Sequence, residues 1–276
     1  MKIVVTGANG KIGTEAVIQL KAAGHKVVSW DIVGPGVTVD CADFGQVFAA
    51  LSGVDAVAGK PDAVLHLAGI PMPGRAPDHV IFENNTLSTY NVFSACQRLG
   101  VKRIVWASSE TLLGLPFTTP PDYVPLDENH PDRPEWSYSL TKLLGEKMAE
   151  QFVRWTPGTG ITSLRFSNVC DEVDYAQFRA NPAMVQARAA NLWSYIDVRD
   201  AARACVLALE APLTGHHTLI IAATDTIAPQ ATEELLRSRF PEVPVTGDIS
   251  GNTSLQSCAR AEQLIGFKPE YSWRDS

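Results

Sequence analysis

Tyr138-Ser139-Leu140-Thr141-Lys142 is the stretch whose residue types and spacing lend themselves most directly to chemistry. If it is helical, Tyr138 and Lys142 are four apart and share a face. A phenol has a pKa of about 10 in water and is a poor base at neutral pH. An ammonium about 4 Å away, in an effective dielectric of about 20, is worth roughly 4 kcal/mol, or about three pKa units. Such a phenol works near neutral pH, where general acid–base catalysis is efficient. Tyr138 could take a proton from a hydroxyl while the adjacent carbon gives up hydride, and Ser109 could hydrogen-bond the same oxygen. By spacing alone, a surface Tyr–Lys pair is the plainer reading, so the rest of the chain has to decide.

A hydride acceptor is suggested at the other end of the sequence. Lys2-Ile3-Val4-Val5-Thr6 is β-branched and reads as a buried strand. Gly7, Gly10 and Gly13 follow at three-residue spacing, and Thr14 to Ala23 reads as a helix. Gly7 allows a sharp turn off the strand, Gly10 a close backbone approach to a ligand, and Gly13 close helix–sheet packing. The helix N-terminus offers free N–H groups to a pyrophosphate. The strand–turn–helix context favours dinucleotide binding over an ordinary turn. Asp31 ends a second strand, Lys26 to Asp31, 18 residues beyond Gly13. A carboxylate there accepts from both adenosine ribose hydroxyls and repels a 2′-phosphate, favouring NAD over NADP.

Positioning these groups takes an alternation of strands and helices, the signature of an α/β doubly wound parallel sheet, a Rossmann fold. Val37 to Cys41 reads as a third strand, with Asp40 placed to reach the adenine amino group, and 43–51 as a short helix. Pro61 to Gly69 reads as a fourth strand, whose small residues at the carboxyl end leave room for a cofactor. Its His66 reads as a packed strand histidine. Helix 78–99 follows, then a fifth strand, Val101 to Ala107, running into Ser108-Ser109-Glu110-Thr111. Six prolines between Pro116 and Pro134 rule out a regular element there, and so long a loop in a compact domain is usually functional or disordered. It ends at the helix carrying Tyr138 and Lys142. Further on, Asp197 can cap a helix over Val198–Glu210, His217 to Ala222 reads as a strand and 230–239 as a helix. The expected division is an NAD-binding domain over 1–169 and a segment over 170–276. That segment completes the sheet at about 196–222 and forms a small substrate lobe.

Composition narrows the function classes. The 276 residues are 45% hydrophobic and 19% charged, in the range of soluble globular proteins. A net charge of −7 argues against nucleic acid as a partner. No apolar run reaches the length of a membrane span, and Met1 leads directly into the first strand without a signal-peptide pattern. Five scattered cysteines without C-x-x-C spacing suggest reduced thiols and a cytoplasmic location. Neighbouring His216 and His217 would point to opposite faces of a strand, and no metal site is expected.

The set Thr6-Gly7-x-x-Gly10-x-x-Gly13, Asp31, Asn85 with Thr89, Ser108-Ser109, Tyr138-x-x-x-Lys142 and Arg165-Phe166-Ser167-Asn168-Val169 resembles the extended short-chain dehydrogenase/reductase family. This is the NAD-dependent epimerase/dehydratase group. The resemblance runs on through Trp193-Ser194-Tyr195-Ile196-Asp197 and Leu264 to Pro269. It implies Ser109, Tyr138 and Lys142 as a catalytic triad. It implies NAD contacts at Gly7, Asn9, Gly10, Lys11, Ile12 and Gly13, at Asp31, Ile32, Asp40 and Cys41, and at Leu67, Ala68, Gly69 and Asn85. The remaining implied contacts are Ala107, Ser108, Tyr138, Lys142, Phe166, Asn168 and Val169. It implies substrate contacts at Ile70, Ser109, Glu110, Thr111, Tyr138, Asn168 and Arg179. It also implies a homodimer through helices 78–99 and 138–154, for which Leu140, Leu144, Met148 and Phe152 form a stripe that would equally suit plain core.

Departures from the family pattern point to a substrate class. Glu110-Thr111 lacks the Asp-Glu pair of sugar-nucleotide 4,6-dehydratases, which disfavours water elimination, and Leu113 replaces the family's tyrosine before the glycine. Cys170 to Trp193 spans 24 residues, whereas nucleotide-sugar epimerases use a longer segment to grip a diphosphate. Arg179, Arg188, Lys268, Arg260 and Arg274 are thin provision for two phosphates. The truncated lobe resembles the uronate dehydrogenase branch, in which an arginine after the sixth strand recognises the sugar carboxylate. Arg179 is the candidate clamp by its bidentate geometry. Three functions follow: an NAD-dependent dehydrogenase of a small sugar or sugar acid, a nucleotide-sugar epimerase, or a non-catalytic NAD-binding regulator.

Overall fold

The structure, a computed structural model, describes residues 1–53 and 60–275. Seven strands form one sheet: β1 (Lys2–Thr6), β2 (Lys26–Asp31), β3 (Val37–Thr38), β4 (Ala63–His66), β5 (Arg103–Ser109), β6 (Gly160–Phe166) and β9 (Gly215–Ile221). Their order is β3-β2-β1-β4-β5-β6-β9, and the pairings β1–β2, β1–β4, β2–β3 and β4–β5 are parallel. The chain winds outward from β1 on one side and restarts at β4 on the other. That reversal makes the carboxyl ends of β1 and β4 the switch point where open α/β sheets bind ligands. Helices α1 (Lys11–Ala22), α2 (Phe44–Ser52), α3 (Asp78–Leu99), α4 (Ser137–Trp155) and α7 (Val198–Glu210) alternate with the strands.

By internal contacts the chain forms two compact units. The first comprises Met1–Ser108, Trp136–Leu164 and Ala202–Thr218. Its core includes Val4, Trp30, Val64, Phe93, Trp106 and Phe152. Phe93 meets Trp106 edge-on at 5.9 Å and Phe152 at 5.8 Å, tying α3 to β5 and α4. The second comprises Ser109–Glu135, Arg165–Ala201 and Leu219–Ser276. It holds β7 (Val169–Cys170) paired with β8 (Ile196–Asp197), α5 (Glu172–Ala180), α6 (Pro182–Ala187), α8 (Thr232–Arg239) and α9 (Ala259–Ile265). Tyr175, Trp193, Tyr195, Ile227 and Leu235 belong to its own apolar cluster.

Most elements lie where the sequence pattern puts them, with informative exceptions at the edges. The third strand stops at Thr38 instead of Cys41, because Asp40 turns the chain away. Its N–H donates to Gln46 Oε1 and its carboxylate accepts from the Ala42 N–H, both at 2.9 Å. Helix α1 starts at Lys11, so Gly13 sits inside the first turn. Among the described residues the proline-rich segment makes isolated bridges, Val124 to Val245 and Leu126 to Gln256. Asp197 caps α7 through a 2.8 Å bond from the Arg199 N–H.

Candidate active site

The glycine loop is built for close backbone approach. Gly7 has φ +65, and a Cβ there would stand 2.7 Å from the Ala68 nitrogen. A Cβ on Gly13 would stand 2.1 Å from the Gly7 carbonyl oxygen. These contacts are backbone on backbone, so no side chain can be accommodated without moving the loop. Asp31 locks the loop to the end of β2. Its carboxylate accepts from the Asn9 N–H at 2.9 Å and from the Ile32 N–H at 2.8 Å. The Asn9 amide in turn donates to the Val33 and Pro35 carbonyls. Lys11 opens α1 at the surface, Ile12 is half-buried, and Ile32 is exposed.

Across the switch point, Leu67, Ala68 and Gly69 continue β4, and the Leu67 N–H donates to the Thr6 carbonyl at 3.1 Å. Asn85 clamps the backbone of Ile70, accepting from its N–H at 2.8 Å and donating to its carbonyl at 3.0 Å. Thr6 Oγ1 accepts from the Ala68 N–H at 3.1 Å and lies 2.8 Å from His66 Nδ1. Burial drives the His66 pKa down to about 3, the Lys142 charge adding to the effect. The ring is therefore neutral and structural. Asp40 is occupied with its own turn, and Cys41 is buried, its thiol pushed up to about 12 by burial.

The end of β5 is joined to α4 by two successive bonds. Lys142 Nζ donates to the Ala107 carbonyl at 2.7 Å, and Ser108 Oγ donates to the buried Glu146 carboxylate at 2.6 Å. Tyr138, Lys142 and Glu146 lie at four-residue steps on one face of α4. The Lys142 ammonium stands 5.5 Å from the Tyr138 ring centroid and 5.4 Å from that of Trp106. Burial lowers its pKa to about 8. Gly145 makes this packing possible, since a Cβ there would be 2.3 Å from the Trp106 ring. Glu146 escaped the sequence reading; its position eight residues after Tyr138 was the available signal.

The other candidates belong to the second unit. Ser109 ends β5 and accepts from the Thr111 N–H and hydroxyl. Glu110 is buried, bonded to Gln256 and Ser167, and desolvation raises its pKa to about 7 with Arg188 acting in the opposite sense. Phe166 ends β6 and Val169 opens β7; Asn168 Nδ2 lies 3.0 Å from Cys170 Sγ. Arg179 is exposed on α5, donating to the Trp273 carbonyl with its guanidinium 6.0 Å from that ring. It is thus turned to the C-terminal segment. Arg188 keeps a buried Nε without a hydrogen-bond partner among the described residues. Gln256 and Arg188 are the residues here that sequence reasoning did not assign.

The glycine cradle, the carboxylate ending β2 and the small residues ending β4 suit a dinucleotide. No group of His, Cys, Asp or Glu among the described residues is arranged to hold a metal ion. No described helix is long and apolar enough to cross a membrane.

The chain is similar to proteins of known activity. The chain is 32% identical to UDP-glucose 4-epimerase 3 of Oryza sativa subsp. japonica over 187 residues, 60% of this chain and 48% of that one, so it matches about half of the rice enzyme's length. It is 26% identical to uronate dehydrogenase of Pseudomonas syringae pv. tomato over 271 residues, covering 90% and 88% of the two chains. In three dimensions it resembles an NAD-bound short-chain dehydrogenase/reductase superfamily protein from Agrobacterium tumefaciens. The TM-score is 0.73 at 23% identity, over 99% of this chain and 94% of the other, a likeness of fold. The profile of the NAD dependent epimerase/dehydratase family matches residues 3–222. The chain therefore belongs to that NAD-dependent family.

Proposed function

We propose that the protein oxidises a hydroxyl carbon of a small sugar or sugar acid, with Tyr138 as base, Lys142 as its electrostatic partner and Ser109 as a hydrogen-bond donor to the reacting oxygen. The observation that carries this reading is Lys142 itself. Its ammonium is pinned to the Ala107 carbonyl and presented on the Tyr138 face of α4. A buried cation there favours the phenolate over the phenol. Tyr138 takes the hydroxyl proton, and the adjacent C–H bond delivers its electron pair as hydride. NAD, when bound, supplies the acceptor for that hydride. Gly7, Gly10 and Gly13 would admit the pyrophosphate and Asp31 the adenosine ribose.

A sugar acid fits the second unit better than a nucleotide sugar. Arg188 has a guanidinium Nε buried and unpartnered among the described residues, and it is the proposed carboxylate partner in place of Arg179. Glu110, protonated in part at neutral pH, would tolerate an anion nearby. The similarity to UDP-glucose 4-epimerase 3 keeps epimerisation as the second reading. The protein mixed with NAD and D-glucuronate, neutral aldoses or UDP-glucose separates them. The expected result is net NADH with the uronate. An isomerised UDP-sugar without net NADH would establish the epimerase, and bound NAD with no turnover a regulator. Exposed Phe82, Leu87, Tyr90 and Leu140 on α3 and α4 are the proposed dimer contacts, to be checked by light scattering.

A further inference from the structure

We infer that Thr111 is a positioning residue that makes Ser109 a hydrogen-bond donor toward the reacting oxygen. The inference rests on the proposed donor role of Ser109 and goes beyond it by naming the residue that sets the polarity of its hydroxyl. Ser109 leaves β5 in an extended conformation and caps the short turn Glu110–Leu113. Its Oγ accepts the Thr111 N–H at 3.2 Å and the Thr111 hydroxyl at 3.0 Å. A serine hydroxyl has two lone pairs and one proton. One neighbour occupies both lone pairs, and only the proton remains to be offered.

That polarity matters for the reaction. The substrate hydroxyl has a single proton, which must pass to Tyr138 as the C–H electron pair leaves with hydride and the C=O bond forms. A serine accepting from the substrate would compete for that proton. A serine that can only donate instead stabilises the developing carbonyl oxygen in the oxidation and the alkoxide in the reverse direction. The adjacent carboxyl that could have drawn the Ser109 proton away, Glu110, is bonded to Gln256 and Ser167. The turn itself is braced by Gly114 N–H to Thr111 O at 3.1 Å and Arg133 N–H to Leu112 O at 2.7 Å. A β-branched side chain holds the donating rotamer better than serine would.

Thr111→Val keeps the shape and the backbone N–H and removes the hydroxyl. With D-glucuronate and NAD, followed at the NADH band, kcat and kcat/KM should fall together by about tenfold with KM unchanged, as when an interaction realised in the transition state is lost. Thr111→Ser should recover most of that loss, and NAD affinity by fluorescence titration should not change. Unchanged or faster turnover in Thr111→Val would overturn the inference, the latter meaning that Ser109 donates into Thr111. A raised KM at constant kcat would also overturn it, making Thr111 a plain substrate contact. A double-mutant cycle with Ser109→Ala in urea unfolding reads the bond without any substrate. Non-additive changes in the unfolding constant, about threefold or more, support it, and additive ones refute it. A wild type inert toward every sugar tested would defeat the functional reading, and the cycle would still decide whether the bond exists.

Discussion

Lys142 Nζ and the carbonyl oxygen of Ala107 are 2.7 Å apart, joining the second turn of α4 to the carboxyl end of β5. One bond thereby anchors the cation beside Tyr138 on the rigid sheet. The next bond along, Ser108 to Glu146, repeats the tie one turn further down the helix.

Because burial brings Lys142 to about 8, its charge is present below that pH and lost above it. The kcat/KM profile should therefore fall on an alkaline limb near pH 8. A profile flat to about pH 10 would mean that the charge plays no part. The stability consequence has the opposite sign. The unfolded chain still binds this proton above pH 8, so the contribution of Lys142 to stability improves as pH rises from about 8 toward its ordinary value.

Tyr138→Phe should lower turnover by at least about a hundredfold, the usual worth of a positioned acid–base group, while leaving NAD affinity nearly unchanged. Steady-state rates and a fluorescence titration of NAD check both halves. Equal losses of turnover and affinity would move the chemistry elsewhere.

Asp31→Ala removes the carboxylate that would repel a 2′-phosphate, so the ratio of NADP to NAD dissociation constants should drop markedly. The same change strips the Asn9 and Ile32 N–H groups of their acceptor, and a lower melting temperature should accompany it. An unaltered cofactor preference would count against the ribose assignment.

Gly145→Ala tests the packing that seats Lys142. Alanine would ordinarily strengthen a helix by about 1 kcal/mol, but its Cβ would lie 2.3 Å from the buried Trp106 ring. Overpacking costs about 1–3 kcal/mol or more, so urea unfolding should show a net loss. A gain would mean that the indole shifts freely.

Glu110 is held at about 7 by burial, so between its ordinary value and pH 7 the folded chain keeps a proton that the unfolded chain releases. Its contribution to stability therefore declines as pH rises through that window. Glu110→Gln should flatten the difference between urea unfolding at about pH 5 and about pH 8. An identical slope in both proteins would show the carboxyl to be better solvated than its burial indicates.

The elements were legible in the chain because their signals are local. Helix 78–99 lies at the bounds expected of it, helix Val198–Glu210 lies where apolar periodicity puts it, and the glycine spacing after β1 specifies a backbone cradle whatever surrounds it. The third strand ends short of Asp40 because a side-chain bond to the backbone two residues on outcompetes the ladder. The partners of buried polar groups were not legible at all. Ser108 with Glu146 and Glu110 with Gln256 join residues 38 and 146 positions apart. Sequence alone therefore determined the alternating fold, the glycine loop and the shared face of Tyr138 and Lys142. Tertiary structure alone decided which carbonyl anchors Lys142, which way Arg179 turns and what Glu110 is bonded to. Local conformation depends on chain neighbours, whereas a buried donor takes whichever acceptor the packing of distant elements brings within about 3 Å.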